Sequence, residues 1–217
     1  MKILKKTKLL LIALLLVAGI SSCECHHEEV ASFRVGHVLC TDGSIMPFCK
    51  YIQTDKEAIG LVFYVNNNPE IPGRGYAVYL NTVPAEAFSS ELGEEQGTST
   101  DVGDLEGNAN TYQMYSSEKS PLAEAVFAMW KYGQSAYIPS VGQLRLLQEQ
   151  KDFLNQRIEA LGGDILPDDP EECWYWTSTE VDGQATDKAW LFSMHTGTIQ
   201  ETPKTQKHPT RGIITIQ

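Results

Sequence analysis

Residues 57–65 read Glu-Ala-Ile-Gly-Leu-Val-Phe-Tyr-Val, and the fold class turns on what this run lacks. A strand with one wet face alternates apolar and polar residues, because successive side chains point to opposite sides of the sheet. No charged residue interrupts the run from Ala58 to Val65. Both of its faces are therefore covered, and it reads as a central strand. Asn66-Asn67-Asn68-Pro69 and Pro72-Gly73-Arg74-Gly75 break it, and Tyr76-Ala77-Val78-Tyr79-Leu80 supplies a second strand. Upstream, Phe33 to Leu39 alternates loosely and turns at Asp42-Gly43, a dipeptide that favours tight hairpins. Cys40 and Cys49 flank that turn and form a candidate disulfide, provided the hairpin brings their Cβ atoms together.

Downstream the pattern changes. Residues 84–110 are rich in Gly, Glu, Ser, Thr and Asp and read as a long exposed loop with one short helical turn. Leu122 to Tyr132 is a helix, with Ser120 as its N-cap, Pro121 at its first position and Gly133 as its stop. Its apolar face carries Leu122, Val126, Met129 and Trp130. Ser140 and Gln143 have capping-box spacing and open a second helix. Leu144, Leu147, Leu154, Ile158 and Leu161 lie on one stripe of it, and Gly162-Gly163 ends it. The C-terminal third carries only strand signals. Trp174–Thr179 runs to a turn at Asp182-Gly183, Ala189–Met194 runs to Gly197, Thr198–Gln200 is short, and Gly212–Ile216 follows. Strands, two helices, then a meander is an α+β order rather than repeated βαβ units.

The N-terminus has a different character. Lys2, Lys5, Lys6 and Lys8 precede an apolar run from Leu9 to Ile20, which ends in Ser21-Ser22-Cys23. About 12 apolar residues suit a signal-peptide h-region and are too few to span a membrane of roughly 30 Å comfortably. Ile20-Ser21-Ser22-Cys23 resembles the lipobox of bacterial lipoproteins, which implies cleavage after Ser22 and acylation of Cys23. The expected organisation is a signal peptide at 1–22, a flexible tether at 23–33 and a single domain at 34–217. Glu24-Cys25-His26-His27-Glu28-Glu29 follows the cysteine. It loosely resembles the acidic surface-export address of some Gram-negative groups, Bacteroidota among them. The chain is thus expected to be exported and held at the outer membrane, on its periplasmic or cell-surface face.

Charge narrows the partners. Residues 1–22 hold four of the 17 basic residues and none of the 28 acidic ones, so residues 23–217 carry 13 basic against 28 acidic, a net −15. Nucleic-acid binding needs a basic footprint and is excluded as an expectation. Anionic lipid would be repelled, leaving the acyl anchor as the expected membrane contact.

Several stretches in order look like one family. Ala58–Phe63 precedes a Gly-rich turn and strand, and Gly107-Asn108-Ala109-Asn110-Thr111 precedes a helix. Tyr137-Ile138-Pro139-Ser140-Val141-Gly142-Gln143-Leu144 opens a helix, and Trp176-Thr177-Ser178-Thr179-Glu180 forms a strand. Ala189-Trp190, Gly197, a lysine (Lys204 or Lys207) and Arg211 follow. This order resembles the DUF1566 and Fibrobacter-type paralogous domains over residues 34–217. The resemblance implies a C-type lectin-like, formylglycine-generating-enzyme-like fold, with two helices packed on twisted antiparallel sheets and long irregular loops. Related folds bind sugars and proteins. The chain departs from both functional branches. Only Cys173 lies in the C-terminal half, where formylglycine-generating enzymes use a cysteine pair to hold copper, and the calcium-lectin tripeptides are missing.

The candidate ligand-binding residues are Trp174, Trp176 and Trp190, which could stack on a sugar or grip a protein loop, with Glu180 and Asp182 as a carboxylate pair beside them. Strand alternation puts Trp174 and Trp176 on one side and Tyr175 on the other, so at least one of these faces is core. Glu180 has an alternative role, holding a loop backbone or pairing with Arg211. Asn108, Asn110 and Thr111 read as turn and cap residues. No catalytic residues, metal ligands or cofactor are expected. The first expectation is a non-enzymatic binding or adhesion module for an unknown glycan or protein, built from loop 84–110 and turn 182–188. The alternative is a structural subunit of a surface fibre or envelope complex, and a hydrolase of unrecognised type is third.

Overall fold

In the computed structural model, which describes residues 33–71, 73–129 and 136–217, the run read first is strand β3 (Ala58–Val65). It is the middle strand of a five-stranded antiparallel sheet. On one side it pairs with β1 (Val38–Cys40), which pairs in turn with the short β2 (Ile45–Met46). On the other lie β4 (Gly75–Tyr79) and then β10 (Ile213–Ile216). Leu61 and Phe63 pack into one core, and Ile59 and Val62 into another. The sheet divides the two cores, which is why the strand has no polar face. A register shift between Val62 and Tyr64 re-aims the strand, and the Phe63 and Tyr64 rings both stack on Tyr76, at 5.9 and 5.5 Å between centroids. Gly60 is required by close approach: a Cβ there would lie 2.5 Å from the carbonyl oxygen of Val78.

The first core is closed by α4 (Val141–Gln148) and α5 (Lys151–Ala160), through Val141, Leu144, Leu147, Leu154 and Ile158. Two helices stand where one was expected, separated at Glu149-Gln150. Between Leu147 and Leu154 no apolar residue is buried, since residues 148–152 are polar or charged and Phe153 is exposed, so no apolar packing holds the middle of a continuous helix straight. Lys151, at the start of α5, is buried and reaches Asp168 at 2.5 Å. The second core is closed by α3 (Pro121–Ala128), through Leu122, Ala123 and Val126. As expected, Ser120 caps α3, accepting a bond from the Ala123 N–H at 3.2 Å, with Pro121 following it. Met129 packs partly against this core, whereas Trp130 and Gly133 lie outside the described residues.

Two smaller sheets complete the α+β arrangement. β6 (Trp174–Glu180), β7 (Lys188–Ser193) and β8 (Ile199–Pro203) form an antiparallel meander. β5 (Val83–Ala87) pairs with β9 (Lys207–Thr210). The stretch expected as an exposed loop thus begins as a strand. It then buries Phe88 and ends in a helix, α2 (Gly107–Ser116). The apolar period failed to show α2 because its inward positions, Gly107, Asn110, Thr111 and Met114, are mostly polar or small. A short α1 (Phe48–Tyr51) follows β2.

The expected Cys40–Cys49 bridge does not form. The hairpin turns at Asp42-Gly43 as anticipated, with the Cys40 N–H donating to Ser44 O at 2.9 Å. That register sets Cys40 against Ser44, and by Cys49 the chain has already turned into α1. Cys40 is a buried free thiol whose pKa is pushed up by burial, and Cys173 is likewise free. Cys49 is disulfide-bonded elsewhere.

Candidate functional site

The residues that carry the family resemblance converge on one buried polar network. Its centre is an irregularity in the β6–β7 ladder. Trp176 pairs with Leu191, yet Glu180 pairs with Ala189, so Thr177-Ser178-Thr179 bulges out of register. A bulge frees backbone and side-chain groups to bond elsewhere. Here Thr177 Oγ1 donates to Trp190 O at 2.8 Å, the Ser178 N–H to Pro139 O at 2.8 Å, and the Val141 N–H to Thr179 Oγ1 at 3.2 Å. The bulge docks the N-terminus of α4, whose capping box forms as anticipated. Gln143 also donates through Nε2 to Leu105 O at 2.9 Å, and Ser140 Oγ donates to Asp104 O at 2.7 Å. Both caps therefore hold the loop before α2.

Glu180 ends the bulged strand and is buried. Its carboxylate accepts the N–H of Gln96 at 2.6 Å and of Thr98 at 3.0 Å, and pairs with Lys204 Nζ. Lys204 is also buried, 5.5 Å from the Phe88 ring centroid, and donates to Glu94 O at 3.2 Å. Glu180 thus holds a loop backbone, as anticipated, but its cation is Lys204 and not Arg211. Arg211 instead donates to the carbonyl oxygens of Leu80 and Asp164 and to Thr82 Oγ1, and burial pulls its pKa down. Of the two lysines compatible with the motif order, the buried one is Lys204. Lys207 forms a surface pair with Glu86 at 3.0 Å. A buried charge persists only when paired and hydrogen-bonded, as both members are here. Asn110 and Thr111 are not turn residues. Asn110 Oδ1 accepts the Ser99 N–H at 2.9 Å, and Thr111 Oγ1 accepts the Ile138 N–H at 2.8 Å, both from within α2. Asn108 is exposed on the same helix.

The expected aromatic face is not a face. Trp176 is fully buried, its Nε1 donating to Glu86 O at 3.0 Å and its ring lying edge-on to Phe88 and His208. Tyr175 is buried on the opposite side. Trp174 and Trp190 are half-buried against the cores, and the Trp190 Nε1 is enclosed without a hydrogen-bond partner among the described residues. Like β3, β6 is covered on both sides, so alternation exposes neither set. Asp182 is exposed in the turn, while Glu180 faces inward, so the two carboxylates do not act together. Cys23 lies outside the described residues. Among the described residues no three His, Cys, Asp or Glu side chains are grouped to hold a metal, and no helix is long and apolar enough to cross a membrane.

The exposed aromatics sit elsewhere. An open groove of about 560 Å³ runs between α2 and α3, lined by Tyr112, Tyr115, Ser116, Glu118, Glu124, Phe127 and Ala128. Tyr112 and Tyr115 are 64% and 49% exposed. Tyr115 meets the half-buried Phe127 edge-on, with centroids 4.6 Å apart. Glu118, at φ 58°, is the sole residue other than glycine with positive φ among the described residues, and it turns the chain from α2 into α3. The sequence signal was the i, i+3 spacing of Tyr112 and Tyr115, visible only once α2 is recognised as a helix.

No family model and no curated relative matches this sequence. Among solved structures, the chain is similar to a fimbrial protein from Bacteroides ovatus ATCC 8483, with a TM-score of 0.66 and 16% identity. The match covers 87% of this chain and 50% of that one, so this chain spans about half the length of that protein. At this identity the likeness is one of fold.

Proposed function

We propose that this chain is a non-enzymatic subunit of a surface fibre, anchored at the cell envelope through an acylated Cys23, whose domain presents a binding face. The observation that carries this reading is the fold likeness to a fimbrial protein across 87% of the chain. It favours the fibre alternative over a free-standing adhesion module. The lectin-like ancestry suggested by motif order belongs to the same reading. Those motif residues support a scaffold role, since Ser140, Gln143, Asn110, Thr177–Glu180, Lys204 and Arg211 are turned inward to hold loops and are not offered to a ligand.

Two measurements on the native host test it. Antibody to the domain, followed by immunogold microscopy, is expected to decorate filaments, and a deletion strain is expected to lose or shorten them. Cys23→Ala is expected to abolish labelling by a radioactive fatty acid and to release the protein from the membrane fraction. Diffuse label with unchanged filaments in the deletion strain would sink the fibre reading, whatever the result at Cys23.

A further inference from the structure

We infer that the groove between α2 and α3 is a docking site for a basic peptide segment of a partner protein, received between the rings of Tyr112, Tyr115 and Phe127 and the carboxylates of Glu118 and Glu124. This inference does not rest on the fibre reading.

Charge complementarity identifies the occupant. Glu118 and Glu124 both line the groove and are exposed, and neither has an ion-pair partner among the described residues. The nearest cation in sequence is Lys119, and its ammonium is turned away. It pairs with Glu91 at 2.5 Å and Glu94 at 2.6 Å, and these two carboxylates raise its pKa. Among the described residues the groove therefore holds two negative charges and no compensating positive one. Its other walls are aromatic. A guanidinium or ammonium is attracted to the face of an aromatic ring and hydrogen-bonds a carboxylate at the same time, whereas a neutral apolar segment would leave both carboxylates to be desolvated unpaired. The volume of about 560 Å³ admits more than one side chain, so a short segment fits better than a single ion.

The geometry around the groove also argues for a formed surface. Ser117, which follows α2, has its Oγ 2.5 Å from Gln96 Oε1 and 2.6 Å from Met114 O, and its one hydroxyl proton is shared between these two acceptors. Gln96 is in turn held through its N–H by Glu180. The groove wall is thereby tied to the buried ion pair, and little ordering remains to be done when a partner arrives. The net −15 of residues 23–217 would steer a basic partner toward the domain in general. The groove supplies the place where it stops.

The test uses the full-length chain and a fluorescein-labelled tetra-arginine peptide, read by fluorescence anisotropy at physiological salt. Glu118→Gln with Glu124→Gln is expected to weaken binding about tenfold, and Tyr112→Ala with Tyr115→Ala by a similar factor. The control is Glu171→Gln with Glu172→Gln, which changes net charge equally at two exposed positions away from the groove and is expected to leave binding unchanged. Tyr112→Ala alone serves as a second aromatic variant, because Tyr112 makes no packing contact with Phe127 of the kind Tyr115 does. Thermal unfolding confirms that each variant is folded. Equal loss in the control and groove pairs would overturn the proposal, since binding would then be diffuse attraction. So would the absence of binding by the wild type. Displacement of the peptide by neutral cellohexaose, but not by free arginine, would also overturn it and reassign the groove to sugars.

Discussion

Glu180 and Lys204 illustrate how a single pair can be both expensive and necessary. Their side chains are 1% and 0% exposed, so removing one partner leaves the other charged and dry. Losing half of such a pair costs about 3–5 kcal/mol. Lys204→Met is therefore expected to lower the unfolding free energy measured in urea by that amount. Glu180→Ala is expected to do so and also to expose residues 90–106 to protease, because Gln96 and Thr98 lose their acceptor. Equal protease resistance in wild type and Glu180→Ala would refute the anchoring role. His208 offers a residue-scale effect of pH. It is half-buried, edge-on to Trp176 at 5.5 Å with Gln206 beside it, and burial pushes its pKa below the ordinary histidine value. The unfolded chain therefore takes up the proton first. This contribution to stability is complete above pH ~6.5 and is lost as pH falls below it. The ion-paired carboxylates Asp168 and Glu201 are held below their ordinary pKa and lose their contribution only near pH ~4 and under. Melting curves between pH 7.5 and 5 should show a decline in the wild type that His208→Gln flattens.

At the scale of elements, the start of α4 is where sequence and structure agree most fully, and the reason is local. A capping box satisfies two orphan N–H groups using residues three apart, so no distant information is needed to see it. Ser140→Ala is expected to cost about 1–2 kcal/mol in thermal or urea unfolding, at the upper end because Ser140 Oγ also holds Asp104 O. Gly107→Ala should be at least as severe, since its Cβ would meet Gln143 Oε1 and the Ile138 carbonyl at once. A neutral Gly107→Ala would show that α2 can move away from α4. The legible parts of the fold were those set by nearest neighbours: the apolar β3, the Asp42-Gly43 turn and the Ser120 and Ser140 caps. What escaped was set at long range. The bulge at Thr177–Thr179 is held from outside its sheet: the Val141 N–H of α4 donates to Thr179 Oγ1, Asn110 of α2 donates to Ser178 Oγ, and the Ser178 N–H donates to Pro139 O. Polar α2 is a helix because Asn110 and Thr111 bond outward to Ser99 and Ile138. The candidate site suffered most, because aromatic strand residues were credited with exposure when their strand is covered on both sides.

At the scale of the whole molecule, Ser32–Gln217 is one unit, in which the motif residues Asn110, Ser140, Gln143, Glu180, Lys204 and Arg211 are buried while Tyr112, Tyr115, Glu118 and Glu124 are exposed. Exposed side chains on α2 and α3 can therefore change without disturbing the network that holds those helices. The five-stranded sheet adds a matter of timing. Its strand β10 sits against β4, with about 130 residues between them along the chain. Synthesis proceeds from the N-terminus at roughly 5–20 residues per second. For on the order of ten seconds, then, β4 presents a bare hydrogen-bonding edge flanked by apolar residues, which is the form most prone to pair with a neighbouring chain. The domain itself covers that edge only when Ile213–Ile216 arrive, so the nascent chain is open to strand pairing with its neighbours for longer than a domain whose sheet is built from adjacent segments.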